Sequence, residues 1–476
     1  MQSRFLNNDT PANAAPGAQL QAQRKLAFGT AQALRWAALR AVQTALLGAA
    51  AMSTAWAGIP ILAWTQASGA QVFLVHSPAI PMVDVQIDFD AGARRDPADK
   101  PGLANLTASA TAYGVLPSAD APALDENALS DAWADLGASF GGSASADRMT
   151  FSLRSLTEPD VLQRAVALAA RQLGQPAFPE GPWLRDRPKL IAARKEANTR
   201  AATVAARAFA QAVYSGHPYG LETTDESLQR ISVADLRALH ASALAPCAAK
   251  VSIVGDLNRA QADALVQTLL ARLPARRCAA LAPVAEVAPL PAAVEQRIPF
   301  ASAQAHVLVG QPGFKRNSGD FFALTVGNHI LGGGGFGSRL TEEVREKRGL
   351  TYSVYSFFAP GLHAGAFTIG LQTRPDQAQQ ALDLVRDVLQ RFVTEGPTEA
   401  ELQAAKANLI GGFPLRLDSN RKLLDNVANI AWNGLPLDYL DTWTAQVDKL
   451  TTADVRNALA RTLQPQKMVT VVLGAP

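Results

Sequence analysis

Ala234-Asp235-Leu236-Arg237 is echoed 453 − 234 = 219 residues later by Ala453-Asp454-Val455-Arg456, and the match does not stop at four residues. Carried along without a gap, the same offset sets Ile231 on Leu450, Pro246 on Pro465 and Gly255 on Gly474. Each segment reads as an Asp-led helix ended near a proline, then a short apolar strand: Lys250 to Val254 in one, Met468 to Leu473 in the other. A single match can arise by chance. One offset shared by helix, breaker and strand predicts an internal duplication, each copy a unit of about two hundred residues.

Between the copies, Leu281 to Ala293 holds Pro283, Pro289 and Pro291 among small residues, a composition that disfavours helix and predicts an extended linker. The expected domains are therefore 59–280 and 295–476, joined by 281–294. Within the first copy, Ile61 to Gln66 and Gln71 to His76 flank a turn at Gly69 and read as a hairpin. Val83 to Phe89 alternates apolar and polar residues, the pattern of a half-buried strand. Asp160 to Leu173 and Lys189 to Tyr214 read as helices. Strands, then helices, then strands again predict an α+β protein: two homologous domains, each a mostly antiparallel sheet with helices packed on one face.

A length of 476 residues exceeds one ordinary core, and 48% hydrophobic with 18% charged residues is a globular composition. The net charge of +3, with no basic tract carrying interleaved aromatics, gives no footing for nucleic-acid binding. Residues 1–57 read as an export signal. Arg24, Lys25, Arg35 and Arg40 precede the uncharged apolar run Ala41 to Ala55, and Ala55-Trp56-Ala57 has the small residues of a cleavage site before Gly58. An uncleaved anchor is the alternative, but the run is short for spanning about 30 Å of hydrocarbon. No second stretch is long enough to span, so a periplasmic or otherwise exported protein without stable membrane insertion is expected. Cys247 and Cys278 are compatible with one disulfide there; spacing alone does not separate a bond from two small core residues.

The segment Phe89-Asp90-Ala91-Gly92-Ala93-Arg94-Arg95-Asp96-Pro97, followed by Lys100-Pro101-Gly102-Leu103-Ala104, resembles the lead into the zinc helix of the pitrilysin/insulinase metallopeptidases. In that family an inverted zinc motif, His-x-x-Glu-His, follows the Gly-Leu-Ala. Here the next residues are Asn105-Leu106-Thr107-Ala108-Ser109, so Asn105 and Ser109 stand at the His positions and Ala108 at the Glu position. The resemblance places the family's third ligand, a Glu, near Ala193, in a helix before His217-Pro218-Tyr219-Gly220; a shifted register would offer Glu196. Zinc takes imidazole, thiolate or carboxylate, three of them in a catalytic site. An amide, a methyl and a hydroxyl do not make that set, and one carboxylate does not hold a zinc. His76, His217, His240, His306, His329 and His363 include no pair at metal-helix spacing. No metal site is expected in this chain.

The second copy keeps another part of the family pattern. Leu331-Gly332-Gly333-Gly334-Gly335-Phe336-Gly337-Ser338-Arg339-Leu340 runs into Glu342-Glu343-Val344-Arg345-Glu346-Lys347-Arg348-Gly349-Leu350-Thr351-Tyr352, similar to the Gly-rich loop and Arg/Tyr pair that the family presents to substrate. Locally, Ser338 reads as a helix cap, Glu342 and Glu343 as its acidic start, Lys347 and Arg348 as its last turn and Gly349 as its stop, with a strand from Leu350 to Phe358. Four consecutive glycines, Gly332 to Gly335, are costly inside a helix or strand and read as a loop approached closely by substrate or another chain. On spacing alone, Arg345 complements a helix dipole and Tyr352 packs; the resemblance instead makes them donors to a peptide carbonyl or its oxyanion.

The resemblance implies a noncatalytic, substrate-binding subunit of an exported heterodimeric zinc metalloendopeptidase, as in mitochondrial processing peptidase and some bacterial pairs. The partner would be a homologous subunit with an intact motif, carrying the zinc; this chain would add Arg345 and Tyr352 and bind a peptide or unfolded polypeptide. The alternative is a structural or peptide-binding scaffold of the same superfamily with no part in proteolysis.

Overall fold

Two sheets of one plan lie behind the repeat in the computed structural model, which describes residues 58–474. The expected export signal, 1–57, lies outside the described residues. In chain order the first copy supplies β1 (Leu62–Thr65), β2 (Gln71–His76), β3 (Met82–Phe89), a small ribbon of β4 (Gly114–Val115) and β5 (Leu124–Asp125), then β6 (Ser139–Ala144), β7 (Met149–Leu156) and β8 (Lys250–Gly255). The second supplies β9 (Val294–Ile298), β10 (Ala305–Pro312), β11 (Val354–Phe358), β12 (Ala366–Thr373) and β13 (Val469–Leu473). The sheet orders are β1-β2-β8-β3-β7-β6 and β9-β13-β10-β12-β11. Every pairing is antiparallel except β2 with β8 and β9 with β13, which correspond. Both sheets are therefore mostly antiparallel, as expected.

The repeated Asp earns its place through capping. Helix Val233–Ala243 starts at Ser232, whose hydroxyl accepts from the Asp235 N–H while the Asp235 carboxylate accepts from Ser232 N–H at 2.9 Å. Thr451 and Asp454 do the same for Thr452–Thr462. Two orphan N–H groups are satisfied in each box.

Each half lends the other a helix. Ala201–Val213, from the first half, lies on β10 and β13, burying Ala205, Phe209 and Val213 against Val469, Val471 and Leu473. Asn420–Asn433, from the second half, lies on β3 and β8. Their starts differ by 420 − 201 = 219, the offset of the repeat. Gly310 is required beneath the first of them, because a Cβ there would meet the Phe209 ring at 2.8 Å and the Phe367 carbonyl at closer range.

That exchange corrects the expectation for β3. Rather than half-buried, Val83 to Phe89 is buried throughout, since its polar face lies under Asn420–Asn433. The polar residues are paired there: Asp88 accepts from Arg148 at 2.8 Å and Thr150 at 2.6 Å, and Asp84 lies 3.5 Å from Arg154. Burial still pushes the Asp88 carboxyl above its ordinary pKa, with Arg148 opposing. Lys250 donates to the Ala431 and Trp432 carbonyls at the end of the lent helix, where a cation also complements the dipole.

The single helix expected over Lys189 to Tyr214 is two, Glu180–Ala197 and Ala201–Val213, broken at Asn198-Thr199-Arg200. Asn and Thr are weak interior helix formers, and the Thr199 hydroxyl bonds the Glu196 carbonyl in place of helix continuation. Cys247 and Cys278, left open by spacing, are bonded, with Cα atoms 5.9 Å apart. Leu281 to Ala293 carries neither helix nor strand, and is clasped by His217 on the Ala285 carbonyl (2.9 Å) and by Lys315 on Glu286 (2.6 Å).

Candidate functional site

Asp96 sets the first part of the site. Its carboxylate accepts from Gly102 N–H at 2.8 Å and Ala104 N–H at 2.9 Å, opening the helix Leu103–Ser109. Burial pushes this carboxyl up to about 6 despite the backbone bonds that oppose it. Gly102 has φ +101°, and a Cβ on it would meet Thr223 Oγ1 at 2.6 Å. The helix thus forms where the resemblance expects one, without residues of ligand type at the expected positions.

The residues at the ligand positions do not fit a metal. Asn105 spends its carboxamide oxygen on the Ala144 N–H of β6, at 3.0 Å. Ala108 is buried, and Ser109 donates to the Leu106 carbonyl at 3.2 Å. Ala193 is exposed, and Glu196 pairs with Arg200 at 2.6 Å. A cavity of about 860 Å³ beside Asn105 is lined instead by Arg194, Arg207 and Glu222 among apolar residues. Both guanidiniums reach Glu222 Oε1, at 2.6 and 2.5 Å, and Arg194 also lies 3.3 Å from Asp225. Glu222, the one carboxylate lining this cavity among the described residues, is thus already engaged by two guanidiniums. Among the described residues no three His, Cys, Asp or Glu side chains gather as a metal site. Three of the histidines have backbone partners: His240 bonds the Leu173 carbonyl, His76 the Leu257 carbonyl and His217 the Ala285 carbonyl.

The second part is the Arg345 assembly, which sequence reasoning placed only in part. Arg345 and Tyr352 do converge, the guanidinium carbon standing 5.0 Å from the Tyr352 ring centre. Phe336, which the sequence reading passed over, also approaches the guanidinium carbon, at 4.7 Å. Both rings are largely in solvent, 72% exposed for Phe336 and 82% for Tyr352. The guanidinium donates no hydrogen bond among the described residues; Glu346 lies alongside at 3.3 Å, and the side chain is about three-tenths exposed. The available signal for Phe336 was its position as the one large side chain within the glycine run.

Local structure around the assembly corrects three expectations. Gly332 and Gly333 are not loop: they continue the helix Phe321–Asn328 in a wider, π-type winding over His329–Gly333. The reason is space, since a Cβ on Gly332 would stand 2.6 Å from the Ser356 nitrogen and one on Gly333 2.6 Å from Asn328 Nδ2. The chain turns only at Gly334 and Gly335, the latter with φ +62°. Ser338 does stand at the start of the helical stretch, its carbonyl accepting from the Glu342 N–H at 2.9 Å, but its hydroxyl does not cap an N–H; it donates back to the Gly335 carbonyl at 2.7 Å. The following turn, Thr341–Glu346, is also widened, with Lys347 N–H on the Glu342 carbonyl, and it stops at Gly349 with φ +60°. Strand β11 begins at Val354 rather than Leu350, because the Thr351 hydroxyl bonds the Ser353 and Gln372 carbonyls and shapes a turn that leaves Tyr352 outside the sheet. Lys347 and Arg348 pair with Glu343 at 2.8 and 2.6 Å, as their spacing suggests.

The chain as a whole has counterparts among known proteins. The family model for insulinase (peptidase family M16) matches residues 71–227, and that for the peptidase M16 inactive domain matches 230–409. The chain is similar to a crystal structure described as the peptidase M16 inactive domain from Pseudomonas fluorescens, at 36% identity and a TM-score of 0.81, covering 87% of this chain and 98% of that one. It is 27% identical over 387 residues to the non-peptidase homolog YmxG of Helicobacter pylori, 79% of this chain and 85% of that protein. An uncharacterized zinc protease of Streptomyces coelicolor is 36% identical over 173 residues, 36% of this chain; the match spans only 37% of that protein's length. No helix among the described residues is long and apolar enough to cross a membrane. Two tandem family domains, a structural match over 87% of the chain at 36% identity and the helix lead place this chain in the insulinase-type peptidase M16 family, as a member without the family's zinc ligands.

Proposed function

We propose that the chain is the noncatalytic, substrate-binding subunit of an exported heterodimeric zinc endopeptidase. A homologous partner with an intact His-x-x-Glu-His motif holds the zinc, and this chain presents Arg345 and Tyr352 to the peptide bound there. One contrast carries the reading: the ligand positions Asn105, Ala108 and Ser109 are committed elsewhere, while Arg345 lies against two exposed rings and, among the described residues, spends its guanidinium on no hydrogen bond, with Glu346 alongside. Structural use alone gives no reason to leave Phe336 and Tyr352 in water, where burial would stabilise each ring. The donor edge suits a peptide carbonyl, and more so its oxyanion, because a guanidinium bonds a full charge more strongly than a dipole.

The test is co-expression with the motif-bearing homologue and assay of peptide turnover. Arg345→Ala is expected to lower kcat/KM by about two orders of magnitude and Tyr352→Phe by about one, on the scale of losing one donor to a developing oxyanion. Co-purification of the two subunits should be unchanged. Full turnover by both variants would remove the reading and leave the scaffold alternative, under which the pair would be inert inheritance.

A further inference from the structure

His217-Pro218-Tyr219-Gly220 sits where three pieces of chain meet. One is the turn between β6 and β7, which carries Asp147. Another is the corresponding turn between β11 and β12, which carries Leu362 and His363, and the third is the linker, 281–294. The Tyr219 hydroxyl donates to Asp147 Oδ1 at 2.6 Å and accepts from the His363 N–H at 3.2 Å. Asp147 Oδ2 accepts from the Leu362 N–H at 2.9 Å. Gly361 permits the approach, since a Cβ there would stand 2.7 Å from both Asp147 Oδ2 and the Tyr219 hydroxyl. The turns of two homologous hairpins are thereby tied tip to tip.

The linker is clasped at the same place by two buried histidines, one from each half. His217 Nε2 meets the Ala285 carbonyl at 2.9 Å, His363 Nδ1 faces Glu286 at 3.3 Å, and the two ring centres are 5.2 Å apart. His217 is held in one protonation state by its partners. Its Nδ1 accepts from the Tyr219 N–H at 3.0 Å and its Nε2 donates to a carbonyl, so both bonds exist only in the neutral ring. A proton on Nδ1 would set N–H against N–H and end the bond to Tyr219. Burial, above all, holds this imidazole below its ordinary 6.5, and a charge on His363 acts in the same direction. Glu286 and Asp147 oppose, but Lys315 lies 2.6 Å from Glu286 and Arg94 3.5 Å from Asp147, and Tyr214 and Tyr219 bring no charge.

We propose that His217 is the trigger of an acid-released latch, whose protonation frees Tyr219, unties the two hairpin turns and loosens the linker at Ala285. The closed latch keeps neutral a base that the open chain would protonate. Its full strength is therefore present above about pH 6.5 and drains away as pH falls below that value. The latch needs no partner subunit and no residue of the Arg345 assembly.

Hydrogen exchange of the full chain, read by mass spectrometry at pH 7.5 and 5.5 and corrected for intrinsic rates, reports the opening. Fragments spanning Tyr219 and Leu362–His363 are expected to exchange about five to ten times faster at pH 5.5, ten being about the limit for one proton. Fragments from the helix Ala378–Glu395 should not change. His217→Gln, whose amide still donates but takes no proton, should abolish the difference, with unaltered far-ultraviolet circular dichroism. His363→Gln removes the neighbouring cation, so the acceleration should set in at higher pH. Equal corrected rates at both pH values in the unaltered chain would overturn the latch. So would an acid response that persists in His217→Gln, or one whose onset His363→Gln leaves unmoved.

Discussion

Asn105 has a twin in the second half. Phe89 pairs with Met149 as Pro312 pairs with Ala366, so β3 and β10 run in step at an offset of 312 − 89 = 223, and 105 + 223 = 328. Asn328 holds β11 through the Ser356 hydroxyl at 2.8 Å, as Asn105 holds β6 through the Ala144 N–H. The amide that replaces an imidazole is thus a fastener between helix and edge strand, a job already done in the copy that follows no metal motif. Restoring the motif by Asn105→His, Ala108→Glu and Ser109→His is therefore expected to leave the chain without stoichiometric zinc. Ala193 still offers no third ligand, and Arg194 and Arg207 still occupy the cavity. Elemental analysis after dialysis against a weak chelator checks this, and one tightly held zinc per chain would refute it. The three altered positions were legible in sequence because they sit at fixed steps after Gly102-Leu103-Ala104. Phe336, Arg194, Arg207 and Glu222 were not, because their partners are brought together only by folding.

Among elements, the stretch from Phe321 to Glu346 differs most from its sequence reading. Glycine cost argues against helix wherever nothing compensates; here the tight approach of Gly332 to β11 compensates, and that approach is a tertiary fact. By contrast, the Asp-led helices were readable because a capping box is local. The glycine segment is anchored at its far end by Arg339, which grips Glu401 with two bonds of 2.6 and 2.7 Å. Burial alone would raise the Glu401 carboxyl, but Arg339 and the Thr398 N–H and hydroxyl outweigh it and lower it to about 2. A carboxyl held below its unfolded value adds stability above about pH 4.5 that drains away as pH falls toward 2. Urea denaturation should therefore show the native chain losing on the order of 1 kcal/mol more than Glu401→Gln between about pH 5 and about pH 3. Parallel losses in the two proteins would contradict the assignment.

At the scale of the whole molecule, duplication and α+β character were visible from one offset, whereas the crossing of helices was not, since no residue pattern says whose sheet a helix will cover. Residues from Ile59 onward form one contact unit, and the largest core gathers Ile61, Val75 and Val254 with Leu424 and Val427. A protease site inserted at Leu281, which is exposed and lies beyond the Cys247–Cys278 bond, should be cleavable without dissociation. The cut protein is expected to elute from gel filtration at the uncut volume and to separate only in denaturant; two smaller species in native buffer would count against it. The reciprocal loan of Ala201–Val213 and Asn420–Asn433 then has a consequence for how the chain is made. During synthesis β3 and β8 stay uncovered on one side until Asn433 has emerged, so the leading copy must wait, its Asp84 and Asp88 face still wet, for nearly the entire polypeptide before either copy can close.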